Sequence, residues 1–104
     1  MNIDRFIKIL NTNACTSAYE NTIYVSDSKN LFAITDIAVA NNACFIFYKD
    51  SDVGYNTRGL VRNLHSYNWQ RFAKIQFVNK DDNSVATNFR LFNNGYNITL
   101  TLIY

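Results

Sequence analysis

Residues 84–104, SVATNFRLFNNGYNITLTLIY, decide the fold. After Asn94-Gly95, the side chains of Tyr96, Ile98, Leu100, Leu102 and Tyr104 alternate with Asn97, Thr99 and Thr101. A period of two with the apolar residues on one side is the pattern of a half-buried strand. Before the turn, Val85, Thr87, Phe89 and Leu91 share one face of a run over 84–92. Asn-Gly between two such runs is the strongest short hairpin signal, because both residues tolerate positive φ. Residues 72–79 read as a further strand, closed by the turn Asp81-Asp82-Asn83. The expectation is an antiparallel three-stranded meander over about 72–104.

Upstream, Asn2 is a candidate helix cap, and Ile3, Phe6, Ile7 and Leu10 follow at i, i+3, i+4 and i+7. This predicts a short helix over about 3–11. Ile23-Tyr24-Val25 and residues 31–35 flank a turn cluster at 26–30, which suggests a first hairpin. Residues 36–40 fit either a continuation of its second strand or a helical turn. Residues 43–49, ACFIFYK, are apolar on both faces, as in a central strand covered on both sides. Residues 50–56 form a loop. Asn56 or Thr57 then caps a second helix over about 57–67, with Leu60, Leu64 and Tyr67 on one face and Arg58, Arg62 and His65 on the other. The fold class is therefore α+β, with two short helices packed on an antiparallel sheet in a single compact domain, 1–104.

Composition narrows the function classes. Apolar residues make up 48% of the chain, a globular proportion. There is no proline, and sixteen asparagines stand against the single glutamate, Glu20. Asn, Lys, Ile, Tyr and Phe are favoured by AT-rich codons, so no individual Asn is singled out as functional. The net charge of +2 is too small to imply a polyanion partner. No apolar run approaches the ~20 residues of a membrane span, and the N-terminus lacks the apolar region of a signal peptide. The expected location is the cytoplasm, that of a host cell if the chain is phage-encoded. Cys44 lies in an apolar strand pattern and reads as a buried small hydrophobe. Cys15 sits in a polar stretch.

No catalytic, metal or cofactor motif is legible. One His and two Cys lack metal-ligand spacing. The pairs Asp50/Asp52 and Asp81/Asp82 fall in turns, where Asp bonds to local backbone. The three glycines are isolated, so no phosphate loop exists. One stretch stands out. Residues 53–80 hold Arg58, Arg62, Arg71, Lys74 and Lys80 and no acidic residue, together with Tyr55, His65, Tyr67 and Trp69. Arginine offers a planar fork for phosphate or carboxylate, and aromatics offer stacking area or protein anchors. The candidate binding residues are Tyr55, Arg58, Arg62, His65, Trp69 and Arg71. The competing reading makes the cations the solvated face of a helix and Trp69 a core plug.

The expectation is a non-enzymatic binding protein without cofactor or metal. The profile is similar to that of small accessory proteins of bacteriophages and mobile elements, which block one host protein by stoichiometric binding, as anti-defence and anti-CRISPR inhibitors do. The alternative is a nucleic-acid or nucleotide-binding domain using residues 55–71. A homodimer would form through the last strand if that strand is a sheet edge.

Overall fold

The two amphipathic helices form where the apolar spacing requires them. In the computed structural model, which describes residues 1–14, 16–49 and 53–104, α1 spans Ile3–Asn13 and buries Ile3, Phe6, Ile7 and Leu10. The Asn2 side chain caps it, accepting from the Arg5 backbone N–H at 2.9 Å. A five-residue helix, α2 (Thr16–Glu20), follows. Then α3 (Thr57–His65) is capped by Asn56 and buries Thr57, Leu60, Val61 and Leu64. It ends at His65, two residues before the expected boundary. Ser66 and Tyr67 turn the chain into a 3-10 helix, Asn68–Gln70.

Seven strands complete the described residues: β1 (Tyr24–Asp27), β2 (Asn30–Ala40), β3 (Ala43–Tyr48), β4 (Lys74–Asn79), β5 (Val85–Ala86), β6 (Asn88–Asn93) and β7 (Ile98–Ile103). Their order is β5-β4-β3-β2-β1-β7-β6. The first hairpin is present, and residues 36–40 continue its second strand. The sheet is mixed rather than antiparallel, because β3 pairs with β4 and β1 with β7 in parallel. The expected meander over 72–104 is corrected accordingly. Its last two strands do pair antiparallel. Its first strand, β4, instead lies between β3 and β5, far from β6 in the sheet order. The run over 84–92 breaks at Thr87, where inward parity flips. Ala86 is buried, and from Phe89 and Leu91 onward the odd positions face inward.

That break closes the sheet. Thr87 alone separates β5 on one edge from β6 on the other, so the edges lie within ~7 Å at that point. Elsewhere α1 fills the seam. The Phe6 ring packs edge-on against Phe77 of β4 (6.2 Å between centroids) and Phe89 of β6 (5.4 Å). Residues Met1 to Asp4 bond to the β4 approach through Ile75 N–H to Met1 O (2.8 Å) and Ile3 N–H to Ala73 O (3.0 Å). At the other end Asn93 Nδ2 donates to Asn13 O. The result is nearly a barrel. β7 lies inside it, between β1 and β6, so the last strand is not the edge that a homodimer through it requires.

β2 makes the corner. Its residues 30–33 pair with β1 and 34–40 with β3, and the register shifts between Ile34 and Asp36. A bulge where a strand passes from one sheet half to the other is how orthogonal corners are built. The chain at 54–55 seals the gap: Tyr55 N–H donates to Ile34 O (3.0 Å) and Ile23 N–H to Tyr55 O (3.2 Å). Gly54 is needed there, because a Cβ would stand 2.1 Å from the Ile34 oxygen.

The core joins Phe6 and Leu10 to Ile23, Ile34, Cys44, Ile46, Leu60, Leu64, Phe77, Ile98 and Leu100. β3 is central in the order, but only its inner face (Cys44, Ile46, Tyr48) is buried. Phe45 and Phe47 remain half-buried on the outside, so the expected cover on both sides is absent. Where β1, β3 and β7 end, the buried Tyr48 hydroxyl donates to Asp27 Oδ2 (2.9 Å) and lies 2.9 Å from the Tyr104 hydroxyl. Burial, then the bonds to Tyr104 and Asp27, push Tyr48 well above the usual tyrosine range. Among the described residues no helix is long and apolar enough to cross a membrane.

Candidate functional site

The polar stripe of α3 supplies the site. Arg58, Val61, Arg62 and His65 recur at i, i+3, i+4 and i+7, so they share one helix face. Opposite them stand Asn11 from the last turn of α1 and Tyr19 from α2. Together these side chains line an open cleft of about 270 Å³. Arg58 Nη1 lies 2.8 Å from Glu20 Oε1, an exposed ion pair tying α2 to α3. Among the described residues no carboxylate pairs with Arg62 or His65.

The six sequence-predicted residues divide. Arg58, Arg62 and His65 line the cleft. Tyr55 does not. It is half-buried against β2, and its hydroxyl accepts from Asn63 Nδ2 at 3.1 Å. Trp69 and Arg71 belong to the 3-10 segment and its end. Trp69 is 72% exposed, so it plugs no core. The Arg71 guanidinium sits 4.9 Å from the Phe72 ring centroid, a cation–π contact, and Phe72 is 66% exposed.

Sequence reasoning missed Asn11, Tyr19, Glu20 and Phe72. Glu20 carried a signal, as the sole glutamate of the chain. Tyr19 and Asn11 carried none, because only the packing of α2 and α1 on α3 brings them near. The local charge is also smaller than the sequence implies. Of the five bases in 53–80, Arg58 pairs with Glu20 and Lys80 with Asp36. Arg62, Arg71 and Lys74 remain without a carboxylate partner among the described residues.

Asp82 and Cys44 take structural places. Asp82 Oδ1 accepts from the Ser84 backbone N–H at 2.9 Å, and that bond holds its carboxyl below the usual range. Cys44 is fully buried, and burial pushes its thiol up to about 12, so no thiolate forms near neutrality. Cys15, Asp50 and Asp52 lie outside the described residues. Among those described, no group of three or more His, Cys, Asp or Glu side chains is placed to hold a metal ion. Comparison with protein families, curated proteins and solved structures finds no match to this chain.

Proposed function

We propose that this chain is a non-enzymatic binding protein that acts by occupying one protein partner, with Trp69, Arg71 and Phe72 at the centre of the contact. The exposure of Trp69 and Phe72, 72% and 66%, on either side of a stacked Arg71 carries the reading. Trp and Arg dominate binding hot spots, and a buried aromatic contributes 150–250 Å² of contact. A patch of about 800 Å² per partner makes a standard interface, well within reach of a face built on this segment. Within 53–80, three bases without a carboxylate partner among the described residues are few for tracking a nucleic-acid backbone, which favours a protein partner over nucleic acid. The finer form of the proposal is stoichiometric inhibition of a host protein in the manner of phage anti-defence or anti-CRISPR proteins. The AT-favoured composition supports it.

Affinity capture from the source cells, run in parallel with wild type and a Trp69→Ala/Arg71→Ala variant, tests the reading. Wild type is expected to retain a protein in equimolar ratio, and the equally stable variant to lose it. Retention of nucleic acid instead, released by moderate salt, would put the nucleic-acid reading in its place.

A further inference from the structure

We propose that the cleft between α1, α2 and α3 binds a small phosphorylated ligand, its phosphomonoester group held by Arg62 together with Arg58 and His65. The polar side chains lining the cleft are two guanidiniums, an imidazole, the Asn11 amide and the Tyr19 hydroxyl, all able to donate, and among the described residues no carboxylate lines it. Glu20 stands beside it, 2.8 Å from Arg58, so this guanidinium already takes an oxyanion of the protein itself. Arg62, four residues on, has no such partner among the described residues. Like charges at i and i+4 destabilise a helix, and an anion between Arg58 and Arg62 would reverse that effect.

The donors select the ligand class. Five donating side chains line the cleft, more than the two oxygens of a carboxylate engage well, and a phosphomonoester presents three strong acceptor oxygens. The volume selects its size. At about 270 Å³ the cleft falls just below the usual ~300 Å³ lower bound for drug-sized ligands. It fits one phosphomonoester with a small body resting on Val61 and Tyr19, and it does not fit a dinucleotide or a run of backbone phosphates. The site shares no residue with the Trp69–Phe72 surface, so it stands or falls separately from the protein-binding reading.

The test is a titration of the ¹⁵N-labelled full chain with inorganic phosphate, with adenosine monophosphate and with a single-stranded oligonucleotide, followed by NMR. Saturable shifts are expected at Asn11, Tyr19, Arg62 and His65 with both small probes, the monophosphate binding more tightly than phosphate. Arg62→Ala, exposed and therefore expected to fold, should weaken binding at least about tenfold, the loss of one charge-assisted bidentate contact. Arg62→Lys should restore part of it, because lysine lacks the planar fork. Glu20→Gln should tighten binding by releasing Arg58, and Trp69→Ala should leave it unchanged. Absence of saturable shifts with both small probes, unchanged affinity in a folded Arg62→Ala variant, or binding to the oligonucleotide alone would each overturn the proposal.

Discussion

At the scale of the residue, Gly54 and Tyr48 show how single side chains fix this fold. A Cβ on Gly54 would overlap the Ile34 carbonyl oxygen at 2.1 Å, and that oxygen is backbone already bonded to Tyr55. Nothing flexible can move aside. Gly54→Ala is therefore expected to destabilise by about 2–3 kcal/mol, at the upper end of overpacking costs, as measured by urea denaturation. A loss under about 0.5 kcal/mol would mean that the corner relaxes freely. Tyr48 gives a pH signature. Its folded-state pKa is raised above the unfolded tyrosine value, so the folded chain holds this proton more tightly. The resulting stability is fully present below about pH 10, the unfolded tyrosine value, and is lost as pH rises toward the folded value. Tyr48→Phe should cost about 1–2 kcal/mol at neutral pH, and the gap between variant and wild type should shrink in denaturation series taken above pH 10. A constant gap would show that the hydroxyl network adds nothing linked to this proton.

At the scale of the element, α1 is the piece that turns an open sheet into a near-barrel. The Phe6, Phe77 and Phe89 rings meet pairwise at 6.2, 5.4 and 5.4 Å, and they come from α1, β4 and β6. Removing the Phe6 ring opens the seam from inside, and Phe6→Ala should cost about 3–5 kcal/mol. Asn2→Ala removes only the cap of the same helix and should cost about 1 kcal/mol. Similar losses in the two variants, measured by chemical denaturation, would show that α1 is stabilised by its own termini and not by the seam. Legibility follows the same division between local and distant causes. α1 and α3 were readable because the stripes Ile3-Phe6-Ile7-Leu10 and Leu60-Leu64 are local patterns set by helix geometry. α2 was not, because five residues complete too few turns to show a period. Asn94-Gly95 announced the β6–β7 hairpin, but only Gly95 takes positive φ (+92°). The loop is held instead by Asn94 Oδ1, which accepts from the Tyr96 and Asn97 backbone N–H groups. The meander failed at Thr87. Alternation on both sides of Thr87 looks continuous in sequence, while the flip of parity there is imposed by pairing partners on opposite edges. The site was half legible for the same reason: α3 carries Arg58, Arg62 and His65 on one local stripe, and the opposing wall comes from helices placed by tertiary packing.

At the scale of the whole molecule, the sheet order makes the two ends of the chain depend on each other. β1 finds its outer partner only in β7, through Tyr24–Thr99, Val25–Leu100 and Ser26–Thr101 pairs. Asn21 Nδ2 bonds to Tyr96 O across 75 residues of sequence. Such contacts form only after a long loop has closed, and the closure entropy is spent before the contacts return it. Folding of the full chain is therefore expected in the millisecond-to-second range typical of non-local β topologies, slower than helical proteins of equal size. Deletion of residues 98–104 sharpens the argument. It removes Ile98, Leu100 and Leu102 from the core, strips β6 of its partner and leaves β1 as a bare edge. Burying three large aliphatic side chains contributes about 1.5–3 kcal/mol each, against a total stability of about 5–15 kcal/mol for a domain of this kind. The shortened chain should therefore show no cooperative thermal transition by circular dichroism, even though the sequences of α1 and α3 are intact. A truncated chain that still melts cooperatively would mean that the helices and β2–β4 form a stable unit by themselves, with the β6–β7 hairpin docked onto it as a separate layer.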